Sequence, residues 1–332
     1  MAYDLRPFTS WIIDEFVPSV RVGSGAGDYA RRVGGNYVEV YGTGDMACVL
    51  YTLDSLNPTP TENAEWASTL RAFQDSGSGY LIAKTASLSK VHNTAFTLGA
   101  MNLFDAQPDH PLTFSRNFNT PELMQEYVES RDWTNGVYLG GEDVIGLASA
   151  FSLVPGTVSD DWFTALFDYF DDNLLDSNNG MIGRGTPPLG TLDQIGGTFH
   201  FAFLWEFYGR QVPYGEARID SILGLRRSDG DWDTANIWWM PFDSIYMLTQ
   251  AANATGHRVA DVRECVESVL SLVLDRVMDE SIRQQTFVES DMGVHTMNGL
   301  MGLFAVAQGY LGTDEVLTDR PLRLVLKKRP YI

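Results

Sequence analysis

Apolar residues recur along the chain in two alternating patterns. Six segments, all rich in Gly and Ala, are apolar on nearly every side; they cover residues 44–56, 92–104, 141–154, 196–209, about 240–255 and 295–312. Segments with a single apolar face alternate with them, at residues 11–20, 61–75, 120–131, 159–176, 214–225 and 259–277. A helix that is apolar all round is buried on every side, whereas one apolar stripe fits a helix that covers a core. The pattern therefore predicts six buried helices alternating with six half-buried ones.

Local signals support these helices and reveal a repeat. Pro241 suits the first turn of the fifth buried helix and Gly256 suits the position just after its end. A glycine followed by a bulky residue recurs in the loops before four of the buried helices, at 79–80, 136–138, 180–181 and 230–232. A period of roughly 40 to 60 residues indicates a repeat architecture.

Strand signals are few, so we expect an all-α fold in one domain over residues 1–332. Within it, residues 1–40 form an N-terminal helix and lead-in. Residues 313–332 form a C-terminal strap, in which Leu322 to Lys327 could be a short strand or an extended stretch.

This alternation resembles the (α/α)6 toroid of the six-hairpin glycosidase-like superfamily. The resemblance covers about residues 40 to 312 and rests on the periodicity and the loop character, since no single motif is diagnostic. It implies a closed ring in which six inner helices touch each other, six outer helices shield them, and the loops before the inner helices meet at one end. The structural alternative is a linear helical solenoid, which would keep a long concave face and a more regular repeat.

Charge limits the partners that this chain can have. The formal net charge is −20, from 43 acidic against 23 basic residues, and only four of the basic residues are lysines. Nucleic acid and anionic membrane surfaces are therefore poor partners. An acid-rich, lysine-poor surface suits a saline medium, although an acidic mesophilic protein is the alternative. Cys48 and Cys265 lie in apolar helical contexts and are expected to be buried free thiols.

No apolar run reaches the length of a membrane-spanning helix. The N-terminal stretch also has no basic region followed by an apolar run, so a cytoplasmic location is expected.

Polar and aromatic residues concentrate where the six buried helices begin, and three of the five histidines lie at or within one turn of such a start. The candidate catalytic residues are Glu142, Asp143, Asp233, Asp291, His92, His200 and His295. The candidate substrate-binding residues are Tyr80, Tyr138, Trp232, Trp238, Trp239, Asp45 and Lys90. Taken singly, each carboxylate could be a helix cap and each histidine a hydrogen-bonded core residue. Together they predict a functional pocket at one end of the ring.

Carbohydrate chemistry suits such a pocket, because indole and phenol faces stack on sugar rings while carboxylates bind hydroxyls. A glycoside hydrolase needs one protonated and one ionised carboxyl group. We expect Glu142 or Asp143 to pair with Asp233 or Asp291. In the superfamily that the chain resembles, catalytic carboxylates also come from the loops before the inner helices.

Three other functions stay open. A polysaccharide lyase or uronate epimerase would use one of the three histidines or Tyr138 as its base, with Lys90 or Arg184 as the cation. The Gly-aromatic loops also resemble those of terpenoid cyclases and protein prenyltransferases, but no D-x-D-D motif is present. A non-catalytic binding protein could use the same pocket.

No cofactor is required by this interpretation. A divalent cation at Asp229, Asp231 and Asp233 is possible, but an EF-hand is excluded because Thr234 and Met240 stand where that loop needs Gly and Glu.

Overall fold

The computed structural model describes residues 2–82, 89–185, 187–188, 190–232 and 238–331, and its fold is all-α. Its α-helices are α1 (Arg6–Trp11), α2 (Val17–Ser19), α3 (Val40–Thr52), α4 (Pro60–Arg71), α5 (Lys90–Asn102), α6 (Pro121–Glu129), α7 (Val137–Leu153), α8 (Asp160–Asn173), α9 (Leu192–Phe207), α10 (Gly215–Leu225), α11 (Trp239–Thr255), α12 (Val259–Met278), α13 (Glu280–Arg283) and α14 (Gly293–Leu311). π-Helical turns over Ile12–Phe16 and Gln284–Val288 continue α1 and α13. Short 3-10 helices lie at Thr113–Asn117 and Val325–Lys327.

The six helices predicted to be buried all round are α3, α5, α7, α9, α11 and α14, which we call the inner helices. Each contacts the next inner helix along the chain, and α14 also contacts α3. Helices such as α6 and α12 bury only one face, as the amphipathic pattern predicts. Both thiols, Cys48 and Cys265, are free and buried as expected, and burial raises the pKa of each to about 11.

Five of the inner helices begin earlier than the sequence pattern indicates: α3 at Val40 and α7 at Val137 start four residues before the glycine taken as their first residue. The glycines lie one turn inside because neighbouring helices approach them closely. A Cβ atom added to Gly44 would lie 2.5 Å from the Phe96 ring, and one added to Gly141 would lie 2.8 Å from the Gly197 carbonyl oxygen. These glycines permit close packing and do not mark helix ends.

Two of the four Gly-plus-bulky loops predicted from the sequence share one backbone geometry. In loops 75–80 and 176–181 the first residue donates its N–H to the carbonyl of the last residue, at 2.8 and 2.9 Å. Gly79 and Gly180 occupy the same left-handed conformation in the two loops. The residue after each loop then donates its N–H to a threonine of the next inner helix, from Leu81 to Thr94 and from Ile182 to Thr198, both at 3.0 Å.

The chain ends are tied together and the C-terminal strap enters the helical body. β1 (Tyr3–Asp4) pairs in parallel with β2 (Val316–Leu317), and no strand forms over 322–327. Beyond β2 the strap passes the C-terminal end of α3, where the Arg323 N–H donates to the Thr52 carbonyl at 2.9 Å. It ends near the first turns of the inner helices, where the Tyr331 hydroxyl lies 3.4 Å from the Glu142 carbonyl oxygen.

None of the helices in the described ranges combines the length and the apolarity needed to traverse a lipid bilayer.

Candidate acid–base site

One aromatic or imidazole ring from each inner helix joins a single cluster at the N-terminal ends of these helices. The members are Tyr41 from α3, His92 from α5, Tyr138 from α7, His200 from α9, Trp239 from α11 and His295 from α14, together with Tyr331 from the strap. Neighbouring rings are 4.7 to 6.5 Å apart between centroids. We call this set and the carboxyl groups around it the acid–base site.

A carboxylate–imidazole pair joins the first inner helix to the last. His295 Nδ1 lies 3.1 and 3.2 Å from the two oxygens of Asp45, which is fully buried. Asn298, one turn further along α14, donates its amide to the same carboxylate at 2.8 Å. When Nδ1 donates to Asp45, the imidazole is held in one orientation and Nε2 is left as the nitrogen that can accept a proton.

A second histidine is held by a phenol. The Tyr41 hydroxyl lies 2.9 Å from His92 Nδ1. Burial raises the pKa of Tyr41, with a further contribution from the charge of Asp45, so the phenol keeps its proton and donates it to the imidazole. Burial also lowers the pKa of His92 well below its usual value, so this ring is neutral.

Glu142 is a buried acid of the site whose pKa lies near neutrality. It lies in the second turn of α7 and is only 3% exposed. Its Oε2 is buried without a hydrogen-bond partner in the described structure. Burial, assisted by the charge of Asp143, raises the pKa of Glu142 to about 7, while His295 opposes that rise. At neutral pH this carboxyl group therefore exists both protonated and ionised, as a general acid requires.

Asp243 is a second buried carboxyl group, one turn into α11. Burial raises its pKa well above the ordinary value, and its Oδ1 has no hydrogen-bond partner in the described structure. The charges of Glu142 and Asp243 both raise the pKa of Tyr138, which is already raised by burial. Two carboxyl groups with different environments therefore lie around one phenol that is 40% exposed.

His200 and Tyr331 complete the deeper part of the site. His200 lies two turns inside α9, and its Nδ1 is 2.7 Å from the Gly196 carbonyl oxygen, which fixes Nδ1 as the protonated nitrogen. Burial lowers the pKa of His200 to about 4, so it is neutral in the physiological range. Tyr331 brings its ring to 6.1 Å from His200 and 5.1 Å from His92.

The structure separates the three predicted tryptophans. The Trp239 ring lies 4.7 Å from His295 and belongs to the acid–base site. Trp238 is buried against Phe287, at 5.6 Å between ring centroids. Trp232 is buried too, and its indole N–H donates to the Ile222 carbonyl at 2.8 Å, so it joins its loop to α10.

The predicted carboxylate partners are also dispersed. Asp143 forms an ion pair with Arg131 at 3.0 Å. Asp291 is largely exposed and pairs with Arg32. Asp233 lies outside the described residues.

The two remaining predicted binding residues form a pair of their own. Lys90 is exposed at the start of α5, and its ammonium lies 6.0 Å from the centre of the Tyr80 ring. The Tyr80 ring stacks on Phe114 at 3.9 Å. Arg184, the other cation considered for a uronate, forms an ion pair with Glu129 at 2.8 Å.

The carboxylates considered for a divalent cation have protein partners. Asp229 pairs with Arg227 at 2.9 Å, and the buried Asp231 pairs with Arg276 at 3.1 Å. Within the described ranges no three His, Cys, Asp or Glu side chains come together in a group that could hold a metal ion.

The sequence interpretation missed Asp243, Asn298 and Tyr331. Asp243 and Asn298 had a signal, because an acid and an amide inside helices that are otherwise apolar are rarely buried without a reason. Tyr331 had none, since only the path of the strap brings it to the inner helices.

No family model matches this chain, and searches of curated proteins and of solved structures find no significant match.

Proposed function

We propose that this chain is an (α/α)6 toroid enzyme that performs acid–base chemistry on a carbohydrate, with glycoside hydrolysis as the reaction. The contacts of each inner helix with the next, and of α14 with α3, support ring closure. The observation that carries the function is Glu142, a buried carboxyl group with a pKa of about 7 whose titration is influenced by the charge of His295, an imidazole oriented by Asp45. The rings of Trp239 and Tyr138 supply the stacking surfaces that a pyranose needs.

In this mechanism Glu142 is the general acid and protonates the glycosidic oxygen as the C–O bond breaks. His295 Nε2 is the general base and takes a proton from the water that attacks the anomeric carbon. Asp45 holds the imidazole and stabilises its protonated form, as the carboxylate of a catalytic triad does. Asp243, whose pKa burial raises well above its ordinary value, binds a sugar hydroxyl through its carboxyl group. One water molecule is consumed for each bond cleaved, and the protons on Glu142 and His295 are exchanged back with solvent.

This assignment keeps Glu142 from the sequence-based pair but replaces its partner. Asp291 is held in an exposed ion pair. We pair Glu142 with His295 because Asp45 orients that imidazole and because its charge lowers the pKa of Glu142.

The imidazole base favours a second candidate, elimination or epimerisation of a uronate. There His295 would remove the proton from the carbon beside the sugar carboxylate. In an elimination the glycosidic C–O bond then breaks, Glu142 protonates the departing oxygen, and the product sugar gains a double bond without uptake of water.

The test is incubation with a panel of neutral and uronic oligosaccharides, read by mass spectrometry and ultraviolet absorbance. Hydrolysis gives products whose summed mass exceeds the substrate by one water, whereas elimination conserves the mass and creates an absorbing product. Glu142→Gln and His295→Asn should each abolish either activity, and Glu126→Gln on the exposed face of α6 should not. Turnover that survives in both of the site variants would refute the assignment.

A further inference from the structure

A second cavity lies at the opposite ends of the inner helices from the acid–base site. Its volume is 980 Å³, and its wall is built from the C-terminal halves of α9, α11 and α14, from α10 and from the strap. Tyr246 of α11 lines it, one turn beyond Asp243, and Tyr51 lines it at the C-terminal end of α3, the helix that carries Tyr41 in its first turn. A cavity of this size holds a small organic molecule.

Cationic side chains outnumber anionic ones among the residues that line this cavity. Four cationic residues line it, Arg210, Arg218, Arg323 and Lys327, against the single anionic residue Glu206. The lining therefore has a formal charge of +3 in a chain whose net charge is −20. A local excess of one sign in a cleft concentrates ligands of the other sign.

Two of these cations have no carboxylate partner among the described residues. Arg218 is buried and donates only to backbone carbonyls, those of Gly180, Val212 and Pro213 at 3.1 to 3.3 Å. Lys327 is exposed on the strap and forms no ion pair with any of the described residues. By contrast, Arg323 pairs with Asp54 at 3.1 Å and Arg210 approaches Asp168 and Asp171 at 3.4 to 3.5 Å. Glu206, the one acid, accepts the Tyr246 hydroxyl.

The rest of the lining suits the uncharged body of a ligand. Four tyrosines contribute, among them Tyr214, which is 47% exposed and holds a left-handed backbone conformation at φ 56°. A strained backbone at a cavity wall is typical of functional positions. Gln250 also lines the cavity and adds a side-chain amide to its wall.

We infer that this cavity binds a small organic anion, a carboxylate- or phosphate-bearing molecule with a ring or short acyl body. Lys327 supplies the ion pair and the tyrosines pack on the body. The inference does not depend on the acid–base site, which lies at the other ends of the same helices, so either can fail alone.

Gly309 provides a way to close the cavity without disturbing the fold. It lines the cavity in the last turns of α14, and a Cβ atom added there would meet nothing within 4 Å. The side chain in Gly309→Phe would therefore occupy the space that a ligand needs, whereas Gly309→Ala leaves most of it open.

The experiment titrates the full chain with two fluorescent probes of the same ring system, the anionic 1-anilinonaphthalene-8-sulfonate and the uncharged N-phenyl-1-naphthylamine. We expect one anionic probe to bind per chain, more tightly than the neutral probe. Lys327→Gln should weaken it by roughly tenfold, the size of one charge-assisted contact. Gly309→Phe should abolish binding and Gly309→Ala should preserve it.

Lys328→Gln is the matched control, since that exposed lysine is adjacent in sequence, does not line the cavity and pairs with Asp105 at 3.7 Å. The inference is overturned if the two lysine variants weaken binding equally, if Gly309→Phe binds like the parent protein, or if the uncharged probe binds as tightly as the anionic one. The lysine comparison decides the matter even if Gly309→Phe does not fold.

Discussion

Glu142→Gln should make the protein more stable at alkaline pH while removing its proposed acid. Burial raises the pKa of Glu142 from 4.5 to about 7, so the folded protein keeps a proton that the unfolded chain has released over that interval. The group therefore lowers the free energy of unfolding as the pH rises through 4.5 to 7, because its ionisation is less favourable in the protein interior than in the unfolded chain. Below pH 4.5 both states are protonated and the effect is absent.

The magnitude follows from the two pKa values. The difference between 7 and 4.5, at about 1.4 kcal/mol for each pH unit, gives about 3.5 kcal/mol when the group is fully ionised in both states, and about 3 kcal/mol at pH 8. Glutamine has nearly the same shape as glutamic acid and carries no charge. The free energy of unfolding of Glu142→Gln should therefore exceed that of the parent protein by about 3 kcal/mol at pH 8 and equal it near pH 4. For a chain of 332 residues the gain corresponds to an increase in Tm of about 4 °C.

Urea denaturation of parent and variant at pH 4, 6 and 8, at constant ionic strength, measures the difference directly. Titration of His200 makes the parent more stable with rising pH between about 4 and 6.5, because its folded pKa is depressed. That contribution is common to both proteins and cancels in the comparison. Glu126→Gln, the same substitution on an exposed surface, should show no pH-dependent difference.

A Glu142→Gln variant that is no more stable than the parent at pH 8 would refute the argument. A gain that is equally large at pH 4 would refute it as well, since it would reflect packing and not ionisation.

Three further predictions concern other residues of the site and two glycines. Asp45→Asn should leave the fold intact and KM nearly unchanged but lower kcat roughly 100-fold or more, because the amide no longer stabilises a protonated His295. Normal turnover in a folded variant would contradict this. Gly42→Ala should destabilise the protein by more than about 1 kcal/mol, since its Cβ would lie 2.4 Å from the backbone of residues 29–30. Gly309→Ala should stabilise it by about 0.5 to 1 kcal/mol, because its Cβ would meet nothing within 4 Å and alanine favours a helix over glycine. Thermal unfolding of the two variants distinguishes a lower Tm from a higher one. ¹⁵N NMR should find His200 neutral at pH 6 with the proton on Nδ1, and a pKa above 6 would contradict the burial that lowers it to about 4.

The helical framework could be predicted from the sequence because the two hydrophobic periods differ so clearly. The fifth inner helix ends at Gly256 as its left-handed C-cap, and α12 begins at the expected Val259. The starts of α3 and α7 could not be placed, because a glycine at the beginning of a helix and a glycine that lets two helices touch look the same in a single sequence. The contact between Gly141 and Gly197 exists only in three dimensions.

Some of the candidate side chains cluster at the helix ends that the sequence indicated, and their function stays a prediction. Histidines and carboxylates at helix starts pointed to His92, His295 and Glu142, which do lie near one another. The sequence could not show that Asp291 is held by Arg32 or that Asp45 is held by His295, because those pairs join residues about 250 positions apart. Nor could it show that the strap carries Tyr331 to the same place.

The most direct test of the central claim is a crystal structure of the protein soaked with mixed neutral and uronic oligosaccharides. We expect a sugar ring stacked on Trp239 or Tyr138, with the carboxyl group of Glu142 at the glycosidic oxygen and His295 Nε2 facing the anomeric carbon or the carbon beside a uronate. Sugar bound only in the cavity at the opposite helix ends, with the acid–base site closed to it, would contradict the assignment of this site as the catalytic centre.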